Sequence, residues 1–191
     1  LYGEIMNIRP EEPRWEDRDW FVLSKGHGGP VMYATLGLKG FYPVEDAYTL
    51  NQPHTRFPSH TDRRMTPGVD LTTGSLGQGI SAAVGMALSA KLDNASYRVY
   101  TLLGDGEIQE GQVWEAAMFA GARKLDNLVV IVDNNGLQID GKIEDVCSPY
   151  PITDKFKAFN FNVIEIDAHD FEQIADAFKK ARETKGMPTA I

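Results

Sequence analysis

Residues 97–135 read YRVYTLLGDGEIQEGQVWEAAMFAGARKLDNLVVIVDNN, and this stretch decides the fold. The apolar and β-branched run from Tyr97 to Leu103 predicts a strand that stops at Gly104. From Val113 to Ala122 the apolar residues recur at helical spacing, whereas Leu128 to Val132 is a continuous run of the kind found in strands covered on both faces. Strand, helix and strand in that order make a parallel unit. Each strand ends in a polar word, Gly104-Asp105-Gly106 after the first and Asp133-Asn134-Asn135 after the second.

The same alternation continues outward. Upstream, Gly77 to Leu92 carries Ile80, Ala83, Val84, Ala87, Leu88 and Leu92 at helical spacing, with small residues that permit close packing on a sheet. Before it, Asn51 to Asp70 has prolines and charges without a period, a long loop of the kind that is usually functional or disordered. Trp20 to Leu23 is an apolar run, after which Ser24 is expected to cap a Gly-rich turn and a helix near Pro30 to Leu38. Leu1, Ile5, Met6 and Ile8 are spaced like the last turns of an amphipathic helix that Pro10 and Pro13 stop. Downstream, Val163 to Ile166 and Thr189 to Ile191 predict strands around a helix capped by Asp170, with Ile174, Ala177, Phe178 and Ala181 on its apolar face. The expected fold is therefore α/β, an open parallel sheet with helices on both faces and ligands beyond the carboxyl ends of the strands. Residues 1–191 form one domain, and both ends read as cut.

At 191 residues and 42% hydrophobic the chain can build a sizeable core. With 19 basic against 27 acidic side chains and a net charge of −8, it lacks the broad positive footprint that nucleic acid or an anionic membrane requires. The single cysteine, Cys147, excludes an internal disulfide or a multi-cysteine metal site and favours a reducing, cytoplasmic setting. No apolar stretch of about 18 residues or more occurs, and the first residues lack the basic start and apolar core of a signal peptide.

Chemistry concentrates in the two polar words. Asp105 offers a hard anionic oxygen and Asn135 a neutral carbonyl oxygen, while the flanking glycines let backbone approach a phosphate. That is what a magnesium diphosphate requires, although each word alone is also an ordinary turn dipeptide. A second candidate, Gly77-Gln78-Gly79-Ile80-Ser81-Ala82, satisfies the dinucleotide fingerprint of a nicotinamide enzyme. Pro67, Gly68 and Asp70 stand where that fingerprint needs an apolar strand, which argues against it.

The combination is more specific than its parts. Gly104-Asp105-Gly106 and Asn134-Asn135, joined by one helix and one strand, resemble the thiamine diphosphate motif. With Ser24-Lys25-Gly26-His27, Thr73 to Gly79, Gln109-Glu110-Gly111 and Ile139-Asp140-Gly141, the whole chain resembles the thiamine diphosphate-binding domain of transketolase. A 2-oxoacid dehydrogenase subunit would share the first motif but not the Ser24 to His27 and Gln109 to Gly111 words. The resemblance implies transfer of a two-carbon ketol unit from a ketose phosphate to an aldose phosphate. It implies a divalent metal, Mg²⁺ or Ca²⁺, on Asp105, Asn135 and the Leu137 carbonyl, and cofactor contacts from His27, Gly74, Ser75, Leu76, Gly104, Asp105, Gly106, Glu107 and Asn135. His27 and His60 would face the reactive carbon and the substrate hydroxyls, and Glu110 would reach across a dimer seam, where Glu115 could join it. Ser59 and Thr61 depart from the family's usual loop around His60. Ser75 replaces the proline of many single-chain members and leans toward a split enzyme. The activating glutamate would then come from a pyrimidine-binding C-terminal subunit or domain, in a homodimer or heterotetramer. His54 and His169 match no motif and read as plain loop residues.

Overall fold

The computed structural model describes all residues, 1–191. In chain order the elements are β1 (Trp20–Leu23), α1 (Gly29–Lys39), α2 (Gln78–Leu92), β2 (Val99–Gly104), α3 (Gly111–Ala122), β3 (Leu128–Asp133), the short hairpin β4 (Leu137–Gln138) and β5 (Gly141–Lys142), α4 (Ile143–Cys147), α5 (Ile152–Ala158), β6 (Asn162–Val163), α6 (Phe171–Glu183) and β7 (Thr189–Ala190). Five strands form one sheet in the order β1-β2-β3-β7-β6, and every pairing is parallel. No helix is long and apolar enough to cross a membrane.

Alternation along the strands divides the core. Val22, Val99, Leu103, Leu128 and Val130 pack on one face with Ile80, Ala83 and Ala87 of α2, Val113 and Ala117 of α3 and Phe156 of α5. Phe21, Leu23, Tyr100 and Val129 point the other way, toward Met32 and Leu36 of α1 and Phe178 and Ala181 of α6. Each large aliphatic side chain buried in this way contributes about 1.5–3 kcal/mol. The connections from β1 to β2, β2 to β3 and β3 to β6 advance across the sheet, with α2, α3 and α5 on one face. The step from β6 to β7 runs backward, and a right-handed crossover then places α6 on the opposite face.

The free edge of β1 is covered by the chain itself. Asp70 Oδ2 accepts from the Phe21 N–H at 3.0 Å, and the Thr73 hydroxyl donates to the Leu23 carbonyl at 2.7 Å. Asp70 is also paired with Arg18 at 2.7 Å, both side chains being buried. Burial pushes the Asp70 carboxyl up from its usual range, and Arg18 works against that shift. This anchor fixes the start of the segment that leads into Gly74, Ser75 and Leu76.

Several expectations need correction. Residues 1–6 form turns, with Ile5 and Met6 N–H both donating to the Leu1 carbonyl, instead of the end of an amphipathic helix. Tyr2 and Met6 are buried there against the α1 and α6 side of the sheet. Ser24 does not cap α1, which starts at Gly29 without a side-chain cap. Its hydroxyl is committed to Glu107. The strand expected over Val163 to Ile166 pairs only at Asn162–Val163. The Asp170 cap forms as expected, accepting from the N–H groups of Glu172 and Gln173.

Candidate cofactor and catalytic site

Strand register brings the two polar words together. Gly104 of β2 pairs with Asp133 of β3, so the loops that follow leave the sheet at one level. The Asp105 N–H donates to the Asp133 carbonyl at 3.1 Å. Asp105 is 1% exposed, and its carboxylate accepts from the Gly136 N–H at 2.7 Å and from the Gly106 N–H at 2.8 Å. One aspartate thus ties both loops. The Gly106 N–H, expected on a diphosphate, is turned onto Asp105 in this structure. Asn135 and Leu137 are exposed, and the Asn135 amide oxygen accepts from the Leu137 N–H at 2.9 Å.

A second group of loops interlocks beside the first. His27 lies exposed in a 3₁₀ turn, Gly26–Gly28, at the end of β1. A Cβ on Gly26 would sit 2.9 Å from the Gly74 N, and one on Gly79 would sit 2.5 Å from Ser24 Oγ. The His60 ring lies against Gly74, its nearest atom 3.5 Å from where a Cβ would stand. Gly77 adopts φ +80 at the start of α2, a conformation that L side chains rarely adopt. A Cβ there would also meet Glu110 Cβ at 2.8 Å. Gly74, Ser75 and Leu76 are exposed, with the Gly26 turn and the His60 ring both against Gly74.

The His60 loop is fastened from below. The Tyr33 hydroxyl donates to the carbonyls of Pro58 at 2.8 Å and His60 at 3.2 Å. Burial pushes the Tyr33 phenol up to about 12, so it stays a donor near neutral pH. Asp62 is held well below the usual carboxylate range, chiefly by hydrogen bonds from the Arg64 side chain and backbone. Thr61 and Thr73 share a hydroxyl contact of 2.9 Å. The departure of residue 61 from the family pattern thus buries a hydroxyl that binds the neighbouring loop.

Glu107, expected to touch the cofactor, is 2% exposed, about as buried as Asp105. Its carboxylate accepts from Ser24 Oγ at 2.5 Å, the Gly77 N–H at 2.9 Å and the Gly104 N–H at 3.2 Å. It joins the end of β1, the start of α2 and the end of β2. Glu110 and Glu115 are exposed on α3 or at its start, where an acid also suits the helix dipole.

The arrangement fits a metal-bound diphosphate. The Asp105 carboxylate, the Asn135 amide oxygen and the Leu137 carbonyl would offer an all-oxygen set with a single formal charge, as suits a divalent cation that phosphates help to hold. Gly136 presents open space, and at Gly104 only the Lys25 side chain comes within 4 Å of a built Cβ. One hollow opens at the Asn134-Asn135 loop and another at the Gly74 segment. The first, of about 770 Å³, is lined in part by Asp133, Asn134, Asn135 and His169, and the second, of about 480 Å³, by Thr73, Gly74 and Ser75.

Residues 1–191 match the family model described as transketolase, thiamine diphosphate binding domain. The chain belongs to the transketolase family. Among its transketolase relatives, the 6-deoxy-6-sulfo-D-fructose transketolase subunit SqwG of Clostridium sp. (strain MSTE9) is 51% identical over the whole chain, which spans 70% of that protein. An apulose-4-phosphate transketolase subunit of Phocaeicola vulgatus is 42% identical over 98% of the chain and 66% of its own length. The solved transketolase from Leishmania mexicana superposes with a TM-score of 0.93 at 38% identity, over all of this chain and 30% of that one. The α/β architecture is thus that of a transketolase N-terminal domain.

Sequence reasoning missed the contacts of two residues, Gln109 and Lys25, in this transketolase domain. Gln109 donates to Gln138 Oε1 and to the Cys147 carbonyl, both at 2.7 Å, which pins the β4–β5 hairpin beside the Asn134-Asn135 loop. Lys25 reaches Asp133 across β2. Both pairs are far apart in the chain, and only the parallel register makes them neighbours.

Proposed function

We propose that this chain is the cofactor-diphosphate half of an enzyme that moves a two-carbon ketol unit from a ketose phosphate to an aldose phosphate. The observation that carries the reading is the double tie at Asp105, which places one buried carboxylate between the two motif loops. Asp105, Asn135 and the Leu137 carbonyl would hold Mg²⁺ or Ca²⁺ together with the diphosphate of thiamine diphosphate. When bound, that cofactor supplies a nucleophilic carbon and an electron sink. Gly74, Ser75 and Leu76 line it. The imidazoles of His27 and His60 bind the donor's hydroxyls and carry protons at those oxygens, work suited to a group that changes charge near neutral pH.

The pyrimidine end of the cofactor belongs to a second domain or subunit. Leu92, Met118 and Phe119 expose apolar surface on α2 and α3, and Gly85 opens onto empty space. Such a face suits a large protein interface. Two such sites pair about a two-fold axis, with Glu110 at the seam, in a homodimer or heterotetramer. A reducing cytoplasm is the fitting location, with Cys147 free and exposed.

The test is ketol transfer by the complete protein, with its pyrimidine domain, from ketose phosphates to aldose phosphates. A sulfonated ketose joins the donors to be tried because of the relative's substrate. Thiamine- and metal-dependent transfer in the wild type and its loss in Asp105→Ala are expected. Transfer independent of either would overturn the reading.

A further inference from the structure

Two carboxylates end the central strands side by side, and they are treated differently. Asp105 accepts only from neutral backbone N–H groups. Asp133, which pairs in register with Gly104 and whose carbonyl accepts from the Asp105 N–H at 3.1 Å, receives the Lys25 ammonium at 2.6 Å. Lys25 follows β1, which does not touch β3, so the bridge spans the intervening strand β2. Its alkyl chain passes over Gly104, with Cδ 3.9 Å from where a Cβ would stand. The Lys25 side chain is 14% exposed and that of Asp133 43% exposed. Neither residue has a part in the ligand set or the acid–base work assigned above.

We propose that Lys25 is a positioning residue that sets the charge of the metal–diphosphate site by neutralising Asp133. This rests on the proposed placement of the cofactor at Asp105. A diphosphate brings negative charge to a place already holding one unpaired carboxylate, and a single divalent cation offsets only part of the total. A second free carboxylate beside it would repel the cofactor. Lys25 cancels that charge while leaving Asp105 to the metal.

The experiment measures thiamine diphosphate affinity by calorimetry at fixed Mg²⁺ in the complete protein, for Lys25→Met, Asp133→Asn and the double variant. Circular dichroism and thermal melting establish that each is folded. Lys25→Met should weaken binding about tenfold at low salt, with the deficit shrinking as salt screens the half-exposed Asp133. Asp133→Asn should bind at least as tightly as the wild type, because it leaves the ammonium uncancelled. The double variant should return close to wild-type affinity, a rescue that a merely structural bridge would not give. Unchanged affinity in Lys25→Met, or a double variant as weak as Lys25→Met, overturns the proposal. Asp105→Ala measured alongside separates the two claims. If it abolishes binding while Lys25→Met does nothing, the cofactor assignment stands and the role of Lys25 falls. If Asp105→Ala binds normally, both fall.

Discussion

Ser24 Oγ donates to Glu107 Oε1 across 83 positions of sequence, and the same oxygen accepts from the Gly77 N–H. Three loops that carry candidate site residues therefore hang on one carboxylate. Glu107→Gln replaces an acceptor with an amide NH₂ that faces a donor. It should cost about 1–3 kcal/mol of stability, the range for a buried group left without a partner, read by denaturant titration. Ser24→Ala should cost less, since it removes one donor and leaves the two backbone donors matched.

Asp105 is the only carboxylate in the proposed metal set. Asp105→Ala should abolish metal-dependent thiamine diphosphate binding while the far-ultraviolet dichroism stays that of the folded domain. Unchanged affinity by calorimetry would sink the metal assignment.

His60 rests on Gly74 and is placed by the Tyr33 hydroxyl through its own carbonyl. His60→Ala keeps that carbonyl, so cofactor affinity should be nearly unchanged. Turnover with ketose donors should fall ~10²–10⁴-fold, the usual contribution of a positioned acid–base group. A wild-type rate would refute the role.

The lowered pKa of Asp62 carries a stability sign. Its unfolded value lies near 3.9, and its folded value is well below that, held down mainly by Arg64. The ionised group therefore adds stability that is fully present above about pH 4 and is lost as pH falls through the folded value. Asp62→Asn should be less stable than the wild type at pH 6, with the gap closing in strong acid. Arg64 is exposed, so the gap should be small and should shrink with salt.

The proposed diphosphate floor lies within residues 1–191, with no group assigned there to the pyrimidine. Purified alone they should show no ketol transfer. Activity should appear only with the pyrimidine domain, in a particle holding at least two copies of each, as sedimentation and rate across a dilution series would show. An active monomer would be fatal to the shared site.

The sheet was legible where the sequence has period or runs. Tyr97 to Leu103, Leu128 to Val132 and the Asp170-capped helix form nearly as read, because burial on two faces and a matched cap leave few alternatives. α4, α5 and the β4–β5 hairpin were not read, being only two to seven residues long, too short to show a period. The Leu1 to Ile8 spacing misled because Tyr2 and Met6 are buried by tertiary contact with no helix to present them. In the site, motif words located the loops. The side-chain partners of Ser24, Lys25 and Gln109 were hidden, since a parallel register joins residues whose separation in sequence carries no signal. The donors that converge on Glu107 were hidden likewise, since they come from the ends of β1 and β2 and the start of α2.

The cover that Asp70 and Thr73 lay along β1 limits how this protein meets others. A foreign strand arriving at that side finds its donors and acceptors already taken at Phe21 and Leu23, so the sheet cannot be lengthened there by recruiting another chain. Growth into fibres through that border is closed off. Association is left to the β6 border, to helical faces and to the loops above the strands, and the last two are the surfaces proposed for a second catalytic half.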